Sequence, residues 1–280
     1  MQRLYLQRIP APPVDSFVLC LWYCQTPPGP HALERVLPNG AAQLVVNLKE
    51  DQTRAYDPSR GFACETTSGM VISGLQSRYC VIDAAETECV AGVVFRPGGT
   101  VPFFRLPAHE LHDASVPLEI LWGRMARRLR ERLLAAPTPH ATLDTMESVL
   151  REAFRPADPH AVVAFALEAF QRQPEQASIG RVTSRVGLSP KRFIERFKAT
   201  VGAPPKQYCR LLRFQRAIAC AARGRTLDWT RIAMDCGYFD QAHFIHDFRS
   251  FAGITPGGYE AGRTEFANHV KILQSAATRA

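Results

Sequence analysis

Two spacings of apolar residues divide the chain. Up to about residue 95, apolar positions come in short runs of four to eight, at 17–24, 42–48, 70–73, 79–82 and 89–95. Runs of that length predict strands, and turn clusters separate them: Pro27-Pro28-Gly29-Pro30, Pro38-Asn39-Gly40 and Asp57-Pro58. Several β-prone runs at such intervals favour a small barrel or sandwich. Arg96-Pro97-Gly98-Gly99 closes the series as a tight turn, with Arg96 a secondary candidate for a ligand contact. The spacing then becomes helical. Leu118, Leu121, Trp122, Met125, Leu129 and Leu133 form one stripe, with Arg124, Arg127, Arg128 and Glu131 largely on the solvated side. A second helix follows at 143–154, so residues 116–156 read as a helical hairpin packed on the strands. Pro156 and Pro159 bracket a boundary between a domain at 1–157 and another at 158–263.

The second domain contains an internal repeat. Phe197, Gly202, Pro205 and Tyr208 recur as Phe248, Gly253, Pro256 and Tyr259 at the same internal spacing, 51 residues on. Phe193 and Phe244 stand one helical turn ahead. Such a repeat marks a duplicated supersecondary unit. In each copy a short helix ends at a glycine, Gly187 or Gly237, and a capping residue, Ser189 or Asp240, opens a second helix. Pro190 adds a first-position proline, where a missing N–H costs nothing. The phenylalanines lie i,i+4 and face inward, leaving a partly polar stripe outward: Lys191, Ile194, Glu195 and Lys198 in one helix, Ala242, Ile245, His246 and Arg249 in the other. Two short helices joined through a glycine turn describe a helix-turn-helix reader of DNA. The units span about 179–202 and 227–253, joined by one helix at 206–223 that is about 25 Å long. Arg210, Arg213 and Arg216 are expected on its outer side. Residues 264–280 carry no helical or strand periodicity and read as a tail.

Charge follows the same division. Residues 1–157 hold 16 Lys+Arg and 16 Asp+Glu; residues 158–263 hold 16 and 9, so the repeat carries a surplus of seven out of the chain's +8. A basic helical module beside a neutral one is the footprint of phosphate binding. The longest clear apolar run, Phe17–Cys24, is eight residues, well below the roughly eighteen of a membrane span. The first nine residues lack a signal-peptide core, so a cytoplasmic protein with no membrane contact is expected. Eight cysteines without a CxxC pair suggest reduced, mostly buried thiols, with Cys20 and Cys24 a minor candidate for sensing. His109 and His112 flank Glu110 at a spacing of three where a zinc-protease helix needs four, so no metal site is assigned. No catalytic constellation is evident, and an enzyme is not expected.

The paired units, together with Gly237-Tyr238-Phe239-Asp240-Gln241-Ala242-His243-Phe244, resemble the AraC-type transcriptional regulators over about 105 residues. Leu37-Pro38-Asn39-Gly40 and Phe95-Arg96-Pro97-Gly98-Gly99 are similar to the cupin-like sensor domain of one branch of that family. The resemblance implies a two-domain α+β protein: an N-terminal cupin-like β-barrel with a helical hairpin, and a C-terminal all-α double helix-turn-helix. It implies promoter DNA as partner and response to a small-molecule effector. Pairing of two copies through the N-terminal domain and contact with RNA polymerase are further expectations, and no cofactor is expected. Carried over by position, base-reading falls on Lys191, Ile194, Glu195, Gln241, Ala242, His243 and His246. Arg192, Lys198, Arg213 and Arg249 are expected to hold phosphates. Glu195 and His246 stand where the family often has arginine, and a carboxylate accepts from cytosine instead of donating to guanine. Thr183 replaces a usual alanine. Two other classes fit the residues: an alkyl-transfer repair enzyme fused to this module, and an architectural DNA binder without a ligand.

Overall fold

The computed structural model describes residues 3–27, 29, 31–156, 161–176, 178–224 and 227–272. The expected boundary between 157 and 158 falls outside the described residues. The chain opens with strands β1 (Leu4–Arg8), β2 (Val18–Gln25), β3 (Leu33–Val36), β4 (Gln43–Asn47), β5 (Gln52–Asp57), β6 (Ala63–Ser68), β7 (Met70–Ser73), β8 (Cys80–Asp83) and β9 (Cys89–Phe95). A one-turn helix α1 (Val101–Phe104) and strand β10 (Ser115–Pro117) follow. The main sheet is antiparallel with six strands in the order β1-β2-β9-β4-β7-β10, and β5 pairs with β6. All five runs anticipated from the sequence are strands. The exposed or half-buried β1, β3, β5 and β6 were not anticipated, because their alternation mixes charge with bulk and gives no apolar run.

Alternation along the strands sets one face inward. Leu21, Tyr23, Leu44, Val46, Ile72, Ala91 and Val93 are buried together with Leu118, Trp122, Leu129, Leu133, Leu143, Met146 and Leu150 of the helices that cover them. Those helices are α2 (Leu118–Trp122), α3 (Arg124–Leu134) and α4 (Pro139–Ala153). The stripe expected to be continuous is broken at Gly123, whose φ of 53° and ψ of −121° end one helix and start the next. Thr138 caps α4 by accepting the Ala141 N–H at 3.1 Å, ahead of Pro139. None of the described helices is long and apolar enough to cross a membrane.

The C-terminal region is helical: α5 (Ala161–Arg172), α6 (Ile179–Val186), α7 (Pro190–Val201), α8 (Pro205–Arg223), α9 (Trp229–Asp235), α10 (Gln241–Ala252) and α11 (Pro256–Gly262). Its core is aromatic, with Phe193, Phe197, Tyr208, Phe214, Phe244, Phe248, Phe251 and Tyr259 almost wholly buried. Leu37 and Leu75, from the strand-rich region, belong to the same cluster. The expected tail is partly ordered, since strand β11 (His269–Lys271) pairs antiparallel with β3, which pairs with β8 on its other side. The Asn268 carbonyl accepts the Leu37 N–H at 2.8 Å, and the Tyr259 hydroxyl donates to the Ala267 carbonyl at 2.9 Å.

The helical region is thereby seated on the strands at several points. The Tyr79 N–H donates to the Phe251 carbonyl at 2.9 Å, and Gly253 passes beside the Tyr79 ring with a φ of 67°. A Cβ at Gly253 would lie 2.1 Å from Tyr79 Cε1. Gly253→Ala combines that clash with a left-handed backbone that L residues disfavour, so it should lower unfolding stability by more than about 1 kcal/mol. A denaturant midpoint equal to that of the parent would contradict this seating.

Candidate nucleic-acid interface

The first unit is built as its sequence dictates. The Ser178 hydroxyl accepts the Arg181 N–H at 3.3 Å to open α6, and Gly187, at φ 65°, closes it in the left-handed region. Ser189 accepts the Arg192 N–H at 3.4 Å, and Pro190 begins α7. The rings of Phe193 and Phe197, 5.8 Å apart, are buried, which fixes the rotation of α7 about its axis. Lys191, Arg192, Glu195 and Lys198 consequently project into solvent. Ile194 is half-buried and packs against the core, so less of it is available outward than of its neighbours.

The second unit repeats the construction. Asp228 accepts the Thr230 and Arg231 N–H groups at 3.1 and 3.0 Å, Gly237 turns at φ 76°, and Asp240 accepts the His243 N–H at 2.7 Å. Phe244 and Phe248 pack at 5.6 Å between ring centroids, and the Trp229 ring stacks over Phe244 at 5.9 Å. Gln241, Ala242, His246 and Arg249 are placed by that packing. Gln241, Ala242, His246 and Arg249 are all exposed. His243 is intermediate: its side chain is 38% exposed, it meets the Tyr238 ring edge-on at 5.3 Å, and its Nε2 lies 3.8 Å from an Asp247 oxygen.

Asp247 is the residue that sequence reasoning missed. It occupies the inner face of α10 with 2% of its side chain exposed. Arg210 on α8 donates to its Oδ1 from Nε at 3.1 Å and from Nη2 at 2.7 Å, and Arg213 stands 4.0 Å from its Oδ2. The two guanidiniums also lie over aromatic faces, Arg210 over Phe251 at 5.6 Å and Arg213 over Tyr238 at 5.2 Å. Burial, with the Asp247 carboxylate next in size, pushes the Tyr238 phenol up, so it stays neutral. The only sequence signal was a carboxylate one turn beyond His243 on an otherwise apolar face.

Arg213 lies less far outward than its position on α8 predicts: its side chain is 16% exposed and engaged with Asp247 and Tyr238. Arg210 and Arg216 were expected outside as well, yet Arg216 donates to the Gln171 and Arg172 carbonyls at 2.8 and 2.7 Å. Arg210, Arg213 and Arg216 of α8 fasten the helices to one another. Among the cysteines, burial pushes the Cys209 and Cys236 thiols up to about 12, which keeps both protonated. His112 donates from Nδ1 to the Leu75 carbonyl at 2.9 Å, within the turn that seats α7.

Residues 6–117 match a family described as a domain of unknown function (DUF6597), and residues 182–262 match a family described as a helix-turn-helix domain. No curated protein matches the chain. Among solved structures, an apo single-substitution variant of ToxT from Vibrio cholerae strain SCE256 is similar at 11% identity, covering 92% of this chain and 97% of its own, with a TM-score of 0.46. Unsaturated fatty acid bound wild-type ToxT from the same strain aligns at 12% identity over 91% of this chain and 94% of its own, TM-score 0.42. A DNA-binding transcriptional dual regulator from Escherichia coli K-12 aligns at 21% identity over 38% of this chain and 96% of its own, TM-score 0.32.

The buried carboxylate gives a direct test of what orients α10. Asp247→Ala strands two partly buried cations, and because both keep some access to water the loss should be about 2 kcal/mol, below the ~3–5 of a fully buried pair. Asp247→Asn keeps an acceptor for Arg210 and should lose less. Chemical denaturation of the two variants reads the order, and equal midpoints would remove the clamp from the account.

Proposed function

We propose that this chain, whose C-terminal module is an AraC-type helix-turn-helix domain over residues 182–262, is a sequence-specific DNA-binding regulator of transcription. The observation that carries this is the doubled geometry: two capped helices, each held by an inward phenylalanine pair, each presenting a polar stripe, on a module with seven surplus positive charges. Such helices enter the major groove with their N-terminal residues toward base edges. Lys191 and Glu195 on α7, and Gln241, Ala242 and His246 on α10, are the base-reading set. Ile194 and His243, each half-buried, stand at its edges. Arg192, Lys198 and Arg249 hold phosphates and set register without reading sequence.

Gln241 carries the paired donor and acceptor that match the major-groove edge of adenine. Gln241→Ala should weaken binding to a selected site by about 1–3 kcal/mol and relax preference at one base pair. Removing Lys198 should instead weaken all sequences about equally and flatten the salt dependence. A mobility-shift titration in which Gln241→Ala binds selected and scrambled DNA as the parent does would sink the assignment.

The N-terminal region supplies the regulatory input, through an effector or through contact between two copies. Two features support this. The face of the six-stranded sheet away from its helices carries half-buried Cys20, Trp22, Val45 and Val94, with Trp22 lying over Gly92. Ile120 and Leu134 stand exposed on α2 and α3. A ligand acts only by binding two states unequally. The full chain should either sediment as a dimer or melt higher with one fraction of a small-molecule pool; failing both, it has no sensor.

A further inference from the structure

The two copies of the repeat differ by one residue where the turn meets the reading helix. In the first copy a single residue, Leu188, separates the positive-φ Gly187 from the Ser189 cap. Leu188 sits one place before the cap and packs against the cluster that contains Phe193, as a hydrophobic staple does. In the second copy two residues, Tyr238 and Phe239, separate Gly237 from the Asp240 cap. Tyr238 takes the inward place, with 5% of its surface exposed and its ring 5.1 Å from that of Phe244. Phe239 is left at the staple position but turned to solvent. It is 93% exposed, the most exposed large apolar residue among those described.

Its neighbours hold it in place. Tyr238 is anchored in the core on one side, and on the other the Asp240 carboxylate is fixed by the His243 N–H. Phe239 therefore stands at the N-terminal edge of α10, directly ahead of exposed Gln241 and Ala242. That is the end of a recognition helix that meets base edges, and apolar side chains there recognise the 5-methyl group of thymine. A protein partner is the weaker fit, because the same helix continues into Arg249 within a positively charged module.

We propose that Phe239 is a specificity-determining residue of the second reader, packing against a thymine 5-methyl beside the base read by Gln241, so that the second half-site is rich in A·T pairs. This rests on the DNA-reading function argued above. The first reader, with Leu188 turned inward, has no counterpart to it.

Selection from a random duplex pool, run in parallel with the full-length parent and Phe239→Ala, tests the assignment. The parent should enrich a thymine that the variant does not. Replacing that thymine with deoxyuridine, which deletes only the methyl, should weaken the parent about fourfold and leave the variant unchanged. Phe239→Leu should retain part of the preference. With so little of Phe239 covered by the rest of the chain, the variants should melt as the parent does. Enrichment of the same thymine by Phe239→Ala, or a deoxyuridine penalty that persists in it, overturns the assignment while leaving DNA reading intact. So does a variant that selects DNA normally but no longer alters transcription in a reconstituted assay, which would place Phe239 on a protein partner. A parent that enriches no sequence overturns both readings.

Discussion

A buried carboxylate is stable only where cations and hydrogen bonds replace the water it has lost, and Asp247 is the point on which the second reader turns. Its partners come from two places: Arg210 and Arg213 reach across from α8, and His243 lies one turn back on α10 itself. Phenylalanine packing alone sets which side of α10 faces inward, but dispersion contacts tolerate some sliding along the helix axis. The two-pronged hydrogen bond from Arg210 does not. The position of Gln241, at the start of the same helix, is therefore referred directly to the long connecting helix.

The helical half was legible because its signals are local. Gly187 and Gly237 turn the chain through their own backbone, Ser189 and Asp240 cap the following helices through their own side chains, and the structure places each as its chemistry requires. The phenylalanine spacing likewise gave the buried faces of α7 and α10. What depends on distant partners was not legible. An arginine on α8 reads as solvated until the helix beyond it supplies a carboxylate, so Arg213 was assigned outward. Strands β1, β3, β5 and β6 bury little on their own and exist by pairing, which no window of residues reports. Phe239 lies within the second unit's sequence motif, but only the burial of Tyr238 reveals that its neighbour is left in water.

The helical module and the strand-rich region are also less separate than their charge and periodicity suggest. Leu37 and Leu75 are buried among the aromatic rings, Tyr79 donates to the end of α10, and β11 adds to the sheet of β3 and β8. The contacts meet α8, α10 and the segment after α11, so a shift in the strand-rich region has a physical route to both readers without any need for a flexible linker to transmit it.

The pairing of β11 with β3 has one more consequence, in the order of synthesis. Asn268 and Leu37, which share hydrogen bonds at this junction, are separated by 231 residues. Until the ribosome has released nearly all of the described chain, β3 has β8 on one side and an open row of amide and carbonyl groups on the other. Such an edge is a template for adventitious strand pairing. The nascent protein thus finishes one of its earliest strands with one of its last, and a chain that terminates early would keep that edge uncovered for as long as it persists.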